Sequence, residues 1–300
     1  MPAFSIPTLR DQPKDFDYLF VLASQIVEVS QSRRCNIELD FSGCKLLMQN
    51  AVAILGGLAK LIEHNGCSVI FRWNTIDDKV RRSLERNGFL DFFGQPPTVL
   101  ASKASRQRNV VPFRQDLAAH EGNIIRYLYQ DWIGGGHVHL SPLLTDHIVA
   151  KMWEIYANAF DHADSPVGIF SCGQYYPQRH LLKLTVVDFG VGIPFRVREH
   201  LGKRMNAADA LQWAFQRGNS TKSDAEGIAR GMGLDLLREF VRLNQGKLEV
   251  FSYDGFARID RMQNFGARHP SFLGTVVNIT FSCDESYYRL ASEPVNAPLF

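Results

Sequence analysis

The chain has 300 residues, of which 45% are hydrophobic and 21% charged, so disordered and fibrous classes are excluded and two ordinary domains fit the length. Its 33 Lys and Arg residues nearly balance 31 Asp and Glu residues, and the net charge of +2 gives no indication of nucleic-acid binding. No apolar run approaches the roughly 20 residues that span a bilayer, the first residues lack a signal-peptide pattern, and the cysteines form no CxxC pair. We therefore expect a cytoplasmic protein with no nucleic-acid or membrane partner and no zinc site.

The first 95 residues alternate between strand and helix patterns. Strands are predicted at 35–40 and 67–73, and helices at 49–64 and 77–87, each helix being followed by a glycine that can end it. The order β-α-β-α is typical of a small α/β layer, which we place at residues 1–95.

A stretch rich in Pro, Ser and Arg follows, and it shows no sustained periodicity. It predicts a linker at 96–112. A helix is predicted from about 114 to 132, because apolar residues recur at helical spacing before a run of three glycines. We expect a second domain at 113–285 and a tail at 286–300.

The second domain mixes helices with hairpin-forming strands. Ser141, followed by proline, is a predicted N-cap for a long helix that ends near residue 162. Two strands within 167–188 are joined by a short turn and predict a hairpin. Further helices are predicted at 207–216 and 233–244, and further strands at 247–253, 257–260 and 275–281. We expect this half to be α+β, with a largely antiparallel sheet and helices on one of its faces.

Three polar residues share one face of the long predicted helix. Glu154, Asn158 and Asp161 stand at i, i+4 and i+7. An asparagine oxygen suits Mg²⁺, which keeps most of its waters, and a glutamate one turn earlier can polarise a water for attack on phosphorus. The alternative is a solvated helix face without a ligand.

Two glycine-containing turns are suited to the flat and the charged parts of a nucleotide. In DFGVGIP, Asp188 is an acceptor for an exocyclic amine, and Gly190 and Gly192 let backbone approach a base. Gly231 and Gly233 open a later helix and leave N–H groups for phosphate. Ordinary loops are the alternative in both cases, and neither turn is a Walker or Rossmann motif.

Between these turns lies a basic, glycine-bearing stretch, residues 195–230. We predict a mobile lid over a polyphosphate, in which Lys222 and Arg230 contact phosphate groups. A solvated basic loop is the alternative.

Four motifs in one order, ExxxNAxDH, DFGVGIP, GMGLDLL and a late Gly-Thr strand, resemble the ATP-binding domain of the GHKL superfamily, the Bergerat fold. The resemblance covers nearly half of the chain and implies an α/β sandwich that binds ATP and Mg²⁺. It implies that Glu154 is the general base, that Asn158 binds Mg²⁺ and that Asp161 lines the pocket. It also implies that Asp188 binds the adenine amino group and that Thr275 supports adenine recognition through water.

The same resemblance assigns roles to the glycines. Gly190 and Gly192 lie beside the base in this assignment. Gly231 and Gly233 face the phosphates, with Leu234 following them.

The first domain resembles a STAS domain, the fold of anti-sigma-factor antagonists, from CNIELDFSG through the 49–64 helix to VRRSLERNGFLDFF. Antagonists that are switched by phosphorylation carry Asp-Ser-Ser-Gly before that helix. This chain has Met48-Gln49-Asn50-Ala51 there, without a hydroxyl. The resemblance therefore implies a degenerate domain that docks a regulatory protein partner and accepts no phosphate. A generic α/β layer is the alternative.

His120-Glu121 begins like the phosphoacceptor box of histidine kinases. The proline of that box is absent, and too few residues separate His120 from Glu154 for a two-helix dimerisation hairpin. We predict a surface helix residue at this position.

Three functions are compatible with these features. The first is a slow ATPase of the GHKL type that acts as a nucleotide-driven conformational or partner switch in bacterial regulation, in a possible homodimer. The second is an anti-sigma-type protein Ser/Thr kinase that uses the same pocket, and the third is a non-catalytic nucleotide-binding module. Glu154 favours hydrolysis, and the first domain favours partner switching by family analogy.

Overall fold

The computed structural model of the chain describes residues 1–32, 34–95, 109–216 and 233–294, with the backbone alone at 233–235. The described residues form the predicted mixture of α/β and α+β structure, with parallel strands in the first half and an antiparallel sheet in the second. None of the helices within these ranges is long and apolar enough to cross a membrane.

The first half contains a three-stranded parallel sheet with helices connecting its strands. The sheet order is β1-β2-β3. The helix predicted at 49–64 is confirmed with the same bounds, and the two predicted strands are confirmed with shorter ones. The elements are β1 Ala3–Ser5, α1 Pro13–Ser32, β2 Asn36–Asp40, α2 Gln49–His64, β3 Ser68–Phe71, α3 Asp78–Arg86 and α4 Phe89–Phe92.

The second half contains a five-stranded antiparallel sheet in the order β4-β6-β7-β9-β8. The predicted hairpin within 167–188 is confirmed as β6 and β7. The elements are β4 Val110–Asp116, α5 Glu121–Tyr127 with a π-helical continuation Leu128–Ile133, β5 His139–Leu140, α6 Pro142–His162, β6 Ile169–Tyr176, β7 Leu181–Asp188, α7 Ile193–Leu201, α8 Ala207–Ala214, α9 Gly233–Leu243, β8 Lys247–Ile259, β9 Gln263–Ser282 and β10 Tyr287–Tyr288.

The helix predicted from about 114 to 132 is wrong in its first part. Residues 110–116 form β4, an edge strand that pairs with β6, and α5 begins only after it. Val111 and Phe113 are buried while the residues beside them are partly exposed, which is the alternation of a strand. Pro112 lacks an N–H group, and an edge strand tolerates that loss.

Other predicted boundaries also change. The strands predicted at 247–253 and 257–260 are one strand, β8. Strand β9 begins well before residue 275, and its first part could not be predicted because those residues are exposed or half-buried and carry no apolar alternation. The described part of the predicted tail, up to residue 294, packs back on the fold, since β10 pairs with β5 and the hydroxyl of Ser141 donates to Glu293 at 2.7 Å. Most of the predicted linker lies outside the described residues, and the two-domain division stays a prediction.

Helices cover both faces of the five-stranded sheet. On one face α6, α8 and α9 pack over buried strand residues such as Leu184 and Ile279. On the other face α1 and α2 pack over residues such as Phe170 and Val187. The helices of the second half therefore lie on one face, as predicted, and the first half covers the other. The two halves share a continuous apolar core.

Two glycines allow α2 to approach the sheet closely. A Cβ on Gly57 would lie 2.3 Å from the ring of Phe189 and 2.7 Å from that of Phe170. A Cβ on Gly56 would lie 2.3 Å from the ring of Phe113. Any larger residue at either position would therefore push the helix away from these rings.

A group of buried polar side chains joins the two halves at one end of this core, and we call it the polar seam. The side-chain amide of Gln49, at the start of α2, donates to Thr185 at 3.4 Å and to Asn278 at 3.3 Å. The hydroxyl of Tyr176 donates to Oε1 of the Gln49 side chain at 2.8 Å. The start of α2 is thus bound to the sheet by hydrogen bonds as well as by apolar contact.

A buried ion pair belongs to the same seam. The Lys183 ammonium of β7 contacts the Asp11 carboxylate of the first half, and the two side chains are 6% and 3% exposed. Burial lowers the pKa of Lys183, and the negative charge of Asp11 opposes that shift. Each charge therefore depends on the other for its stability in the core.

Candidate functional site

Asp188 and Thr275 lie side by side at one end of the central strands. Asp188 is the last residue of β7, and the antiparallel register places it directly opposite Thr275 of β9. Both residues are buried, with 5% and 6% of their surface exposed. The sheet thus brings a carboxylate and a hydroxyl together that are far apart in the chain.

The Asp188 carboxyl has a strongly shifted acidity. Burial raises its pKa to about 7, because the charged form loses its hydration. Hydrogen bonds from the backbone of Gly190, at 3.0 Å from Oδ1, and from the backbone and side chain of Thr275 oppose this rise. A carboxylate has about four acceptor positions, so these donors leave room for a further donor from a ligand.

The turn after Asp188 is held tightly against the end of α6. A Cβ on Gly190 would lie 1.8 Å from the carbonyl oxygen of Ala163, so this position requires glycine. The N–H group of Val191 donates to the same oxygen at 2.8 Å. Gly192 has φ +78°, a conformation that favours glycine. The backbone of this turn is therefore fixed beside the buried carboxyl.

Ser252 of β8, which belongs to none of the sequence motifs, connects the turn to Thr275. Its hydroxyl lies 2.9 Å from the Thr275 hydroxyl and accepts from the Ile193 N–H group at 2.8 Å. Ser252 is fully buried, so these contacts are shielded from water. The one available signal is a serine within an apolar strand, directly after Val250 and Phe251.

The predicted polar stripe lies on the outer side of α6. Ser141 caps this helix as predicted, since its hydroxyl accepts from the Leu144 N–H group at 3.1 Å. Glu154 is half-buried, whereas Asn158 and Asp161 are exposed. The stripe runs toward the end of α6 that contacts the Gly190 turn, so both features belong to one region of the surface.

Glu154 has an ion-pair partner on its own helix. The ammonium of Lys151 lies 2.6 Å from its Oε1, and 37% of the Glu154 side chain is exposed. A half-exposed pair of this kind contributes little to stability, so the carboxylate can exchange Lys151 for another partner at small cost.

The predicted phosphate contacts are only partly described. Lys222, Arg230 and Gly231 lie outside the described residues. Gly233 and Leu234 begin the described part of α9, of which the backbone alone is known at these positions. Helix α9 packs on α6 within the same apolar core, so its start belongs to the same side of the sheet as the polar stripe.

The predicted lid is not a loop in its described part. Its first residues form α7 and α8, which bury Val197 and Leu211. Arg196 pairs with Glu199 at 2.7 Å and with Asp164, so this cation already has protein partners. The helix predicted at 207–216 is confirmed as α8, which packs on β8 and β9, and the mobile lid stays a prediction. The rest of the stretch lies outside the described residues.

Within the described ranges, no group of three or more His, Cys, Asp or Glu side chains could hold a metal ion. The predicted magnesium site needs only one protein oxygen, from Asn158, with water and phosphate oxygens completing the shell. The exposed amide of Asn158 fits that requirement.

Comparison of the chain with protein-family models gave no match, and no curated protein matches it either.

We expect the free energy of unfolding to be about 2–3 kcal/mol lower at about pH 8 than at about pH 5 because of Asp188. Its pKa is about 7 in the folded protein and 3.8 in a solvated chain, so in this range the folded state retains a proton that the unfolded state has released. The protonated Asp188 therefore stabilises the folded protein at low pH, and this contribution is lost as the pH rises through 7. Urea unfolding of wild type and Asp188→Asn at both pH values measures it. An equal pH dependence in the two proteins would contradict the assignment.

Proposed function

We propose that the chain binds Mg·ATP in the manner of the GHKL superfamily and acts as a slow, nucleotide-driven switch. The observation that carries the proposal is the buried Asp188 carboxyl at the end of β7. It has spare acceptor capacity, lies against two conformationally required glycines, and is close to the end of a helix that carries the half-buried Glu154 and the exposed Asn158 and Asp161.

Asp188 is suited to adenine recognition. An exocyclic amine is a good donor to a buried carboxylate, and binding it would return to the carboxylate some of the stabilisation that burial removes. The space in which side chains at Gly190 and Gly192 would lie is occupied by Ala163 and by Ser252 and Gly274, so these glycines let the backbone of the turn pack beside the carboxyl. Thr275, held by Ser252, would complete the polar edge of the base site.

The stripe on α6 is suited to the phosphate end of the nucleotide. Asn158 would supply a neutral oxygen to Mg²⁺, with Asp161 one turn further along and Glu154 one turn before it. Glu154 would hold and polarise a water. The start of α9, a helix N-terminus on the same side of the sheet, offers N–H groups to phosphate oxygens. Lys222 and Arg230 complete this proposed set.

Replacing Asp188 by asparagine is expected to weaken ATP binding by about 5- to 150-fold, because one acceptor becomes a donor and such a contact is worth about 1–3 kcal/mol. Calorimetry of ATP binding in Mg²⁺ at a pH well above 7 measures the change. The matched control is Asp78→Asn, which removes the same charge from the exposed start of α3. If the two variants bind ATP equally well, Asp188 does not contact the base.

Replacing Asn158 by alanine is expected to abolish the part of ATP affinity that depends on Mg²⁺. The metal bridges phosphate oxygens, and Asn158 is the proposed protein ligand. Titrations with Mg²⁺ and with a chelator measure this part in wild type and variant, and Asn123→Ala, on an exposed position of α5, is the control. A variant that retains the wild-type difference between the two titrations does not support the role.

A regulatory partner remains part of the proposal. Gln49, at the start of α2, is buried against Thr185 and Asn278 of the chain's own sheet and is not open to a partner. A partner that docks on the first half would have to use another face.

Incubation with labelled ATP and Mg²⁺ distinguishes the three functions. Release of labelled phosphate supports the switch ATPase, and transfer of the label to protein supports the Ser/Thr kinase. If neither occurs, the result supports the non-catalytic binding module.

A further inference from the structure

Two cysteine side chains lie in contact in the first half of the protein. Cys35 directly precedes β2 and Cys67 directly precedes β3, and the pairing of Asn36 with Ser68 makes them neighbours across the sheet. Their sulfur atoms are 3.8 Å apart. The contact therefore follows from the parallel register of the two strands.

We propose that Cys35 and Cys67 form a reversible oxidation site, at which a hydroperoxide converts the two thiols into a disulfide. Paired residues of neighbouring strands have Cα atoms about 5 Å apart, which lies within the range of about 4.4–6.8 Å that disulfides span. The sulfur atoms can thus come to bonding distance by side-chain rotation, without separating β2 from β3.

The surroundings of the pair give its two members different tasks. Cys35 is half-exposed and open to an oxidant, whereas Cys67 is buried. The backbone N–H group of Cys35 donates to the sulfur of Cys67 at 3.3 Å, and the Cys67 thiol donates to the carbonyl oxygen of Ser30 at 3.5 Å, so the Cys67 side chain is held inside the fold beside Cys35. Cys35 is therefore the residue that meets the oxidant, and Cys67 is the residue that closes the bond.

The other three cysteines differ from Cys35, because each of them is buried. Burial raises the pKa of Cys44 to about 11, of Cys172 to about 12 and of Cys283 to about 11. At neutral pH these thiols hold almost no thiolate, which is the nucleophile in thiol oxidation. Oxidation should therefore concentrate on the pair that combines access with a second sulfur in contact.

The reaction balances with one hydroperoxide for each disulfide. The Cys35 thiolate attacks a peroxide oxygen, the O–O bond breaks and hydroxide leaves, which makes Cys35 a sulfenic acid. The Cys67 sulfur then attacks the Cys35 sulfur, the S–O bond breaks, and the leaving hydroxide takes the thiol proton. With hydrogen peroxide, two thiols become one disulfide and two waters, and two electrons pass to the peroxide.

The cross-link would enclose the segment that contains α2. This helix carries the contacts that join the first half to the five-stranded sheet. Closing the segment restricts the unfolded chain, so the oxidised protein should unfold at a higher temperature than the reduced one. The change is independent of nucleotide binding.

Treatment of the intact, reduced protein with stoichiometric hydrogen peroxide, followed by non-reducing peptide mapping, tests the proposal. The expected result is a Cys35–Cys67 peptide pair that has lost two hydrogens and that dithiothreitol separates again. Cys283→Ser should form the same link, whereas Cys35→Ser and Cys67→Ser should form none, with circular dichroism confirming that each variant is folded.

The wild-type map alone can overturn the proposal, so it does not depend on the folding of any variant. Oxidation that stops at a sulfinic acid on one cysteine, a link that joins different cysteines, or a link between two chains would each do so.

Discussion

Replacing Asp11 by alanine is expected to lower the free energy of unfolding by about 3–5 kcal/mol, which is the cost of leaving one charge of a buried ion pair without its partner. The Lys183 ammonium is almost fully buried and contacts Asp11. Without this carboxylate, Lys183 must either keep a poorly compensated charge in the core or lose its proton. Both alternatives destabilise the folded state, because a buried ammonium has lost its hydration, and a neutral Lys183 has given up a proton that the unfolded chain, with a lysine pKa of 10.5, still binds at neutral pH.

The comparison that isolates this effect is an exposed pair in the same protein. Lys60 and Glu63 are one helical turn apart on α2, and their side chains are 28% and 44% exposed. Glu63→Ala should therefore cost less than about 1 kcal/mol. Urea unfolding of both variants at neutral pH measures the difference, and similar costs would contradict a buried, mutually dependent pair.

A double variant separates the loss of the pair from the exposure of a lone charge. Asp11→Leu combined with Lys183→Met removes both charges and fills the space with apolar atoms. It should recover most of the stability that Asp11→Ala loses, because the penalty comes chiefly from the remaining unpaired ion. Since Asp11 lies in the first half and Lys183 in the second, unfolding should occur in a single transition for all of these proteins.

Elements with a strong local pattern could be predicted from the sequence. Helix α2 has apolar residues at helical spacing and a glycine after its end, and α6 has a Ser-Pro start, so each was predicted within a residue of its observed bounds. In β4, apolar residues alternate as in a strand, but the helical spacing in the residues that follow led to the prediction of a helix there. A local pattern therefore predicted the correct element where one period, helical or alternating, dominated the segment. It predicted the wrong element where a strand pattern and a helical pattern were adjacent.

The contacts between distant segments could not be predicted in this way. Asp188 and Thr275 were both predicted site residues, but only the β7–β9 register shows that they are neighbours. Gln49 stands where a hydroxyl would be expected in a switched antagonist, and its burial against Thr185 depends on a strand far along the chain. Ser252 is recognisable only from its three-dimensional contacts.

Replacing Glu154 by glutamine is expected to lower ATP turnover by about 10²–10⁴-fold while ATP affinity stays nearly unchanged. Under the proposed function this carboxylate accepts a proton from the attacking water, and the neutral amide cannot. The side chain is half-exposed and lies one helical turn before Asn158, so under the proposed function it would reach a water beside the metal and would not contact the base. Single-turnover hydrolysis with saturating ATP and Mg²⁺ measures the effect.

The controls for Glu154 test its charge and its ion pair separately. Glu121→Gln makes the same substitution at the exposed start of α5 and should leave turnover unchanged. Lys151→Met removes the ammonium that lies 2.6 Å from the Glu154 carboxylate, and turnover should not fall, because under the proposed function that contact would compete with the water. Equal turnover in wild type and Glu154→Gln would make Glu154 a solvated helix residue. Slow wild-type hydrolysis is expected, because switch ATPases often need a partner or a second subunit to complete the site. The test of Glu154 is therefore the ratio of the wild-type rate to the Glu154→Gln rate.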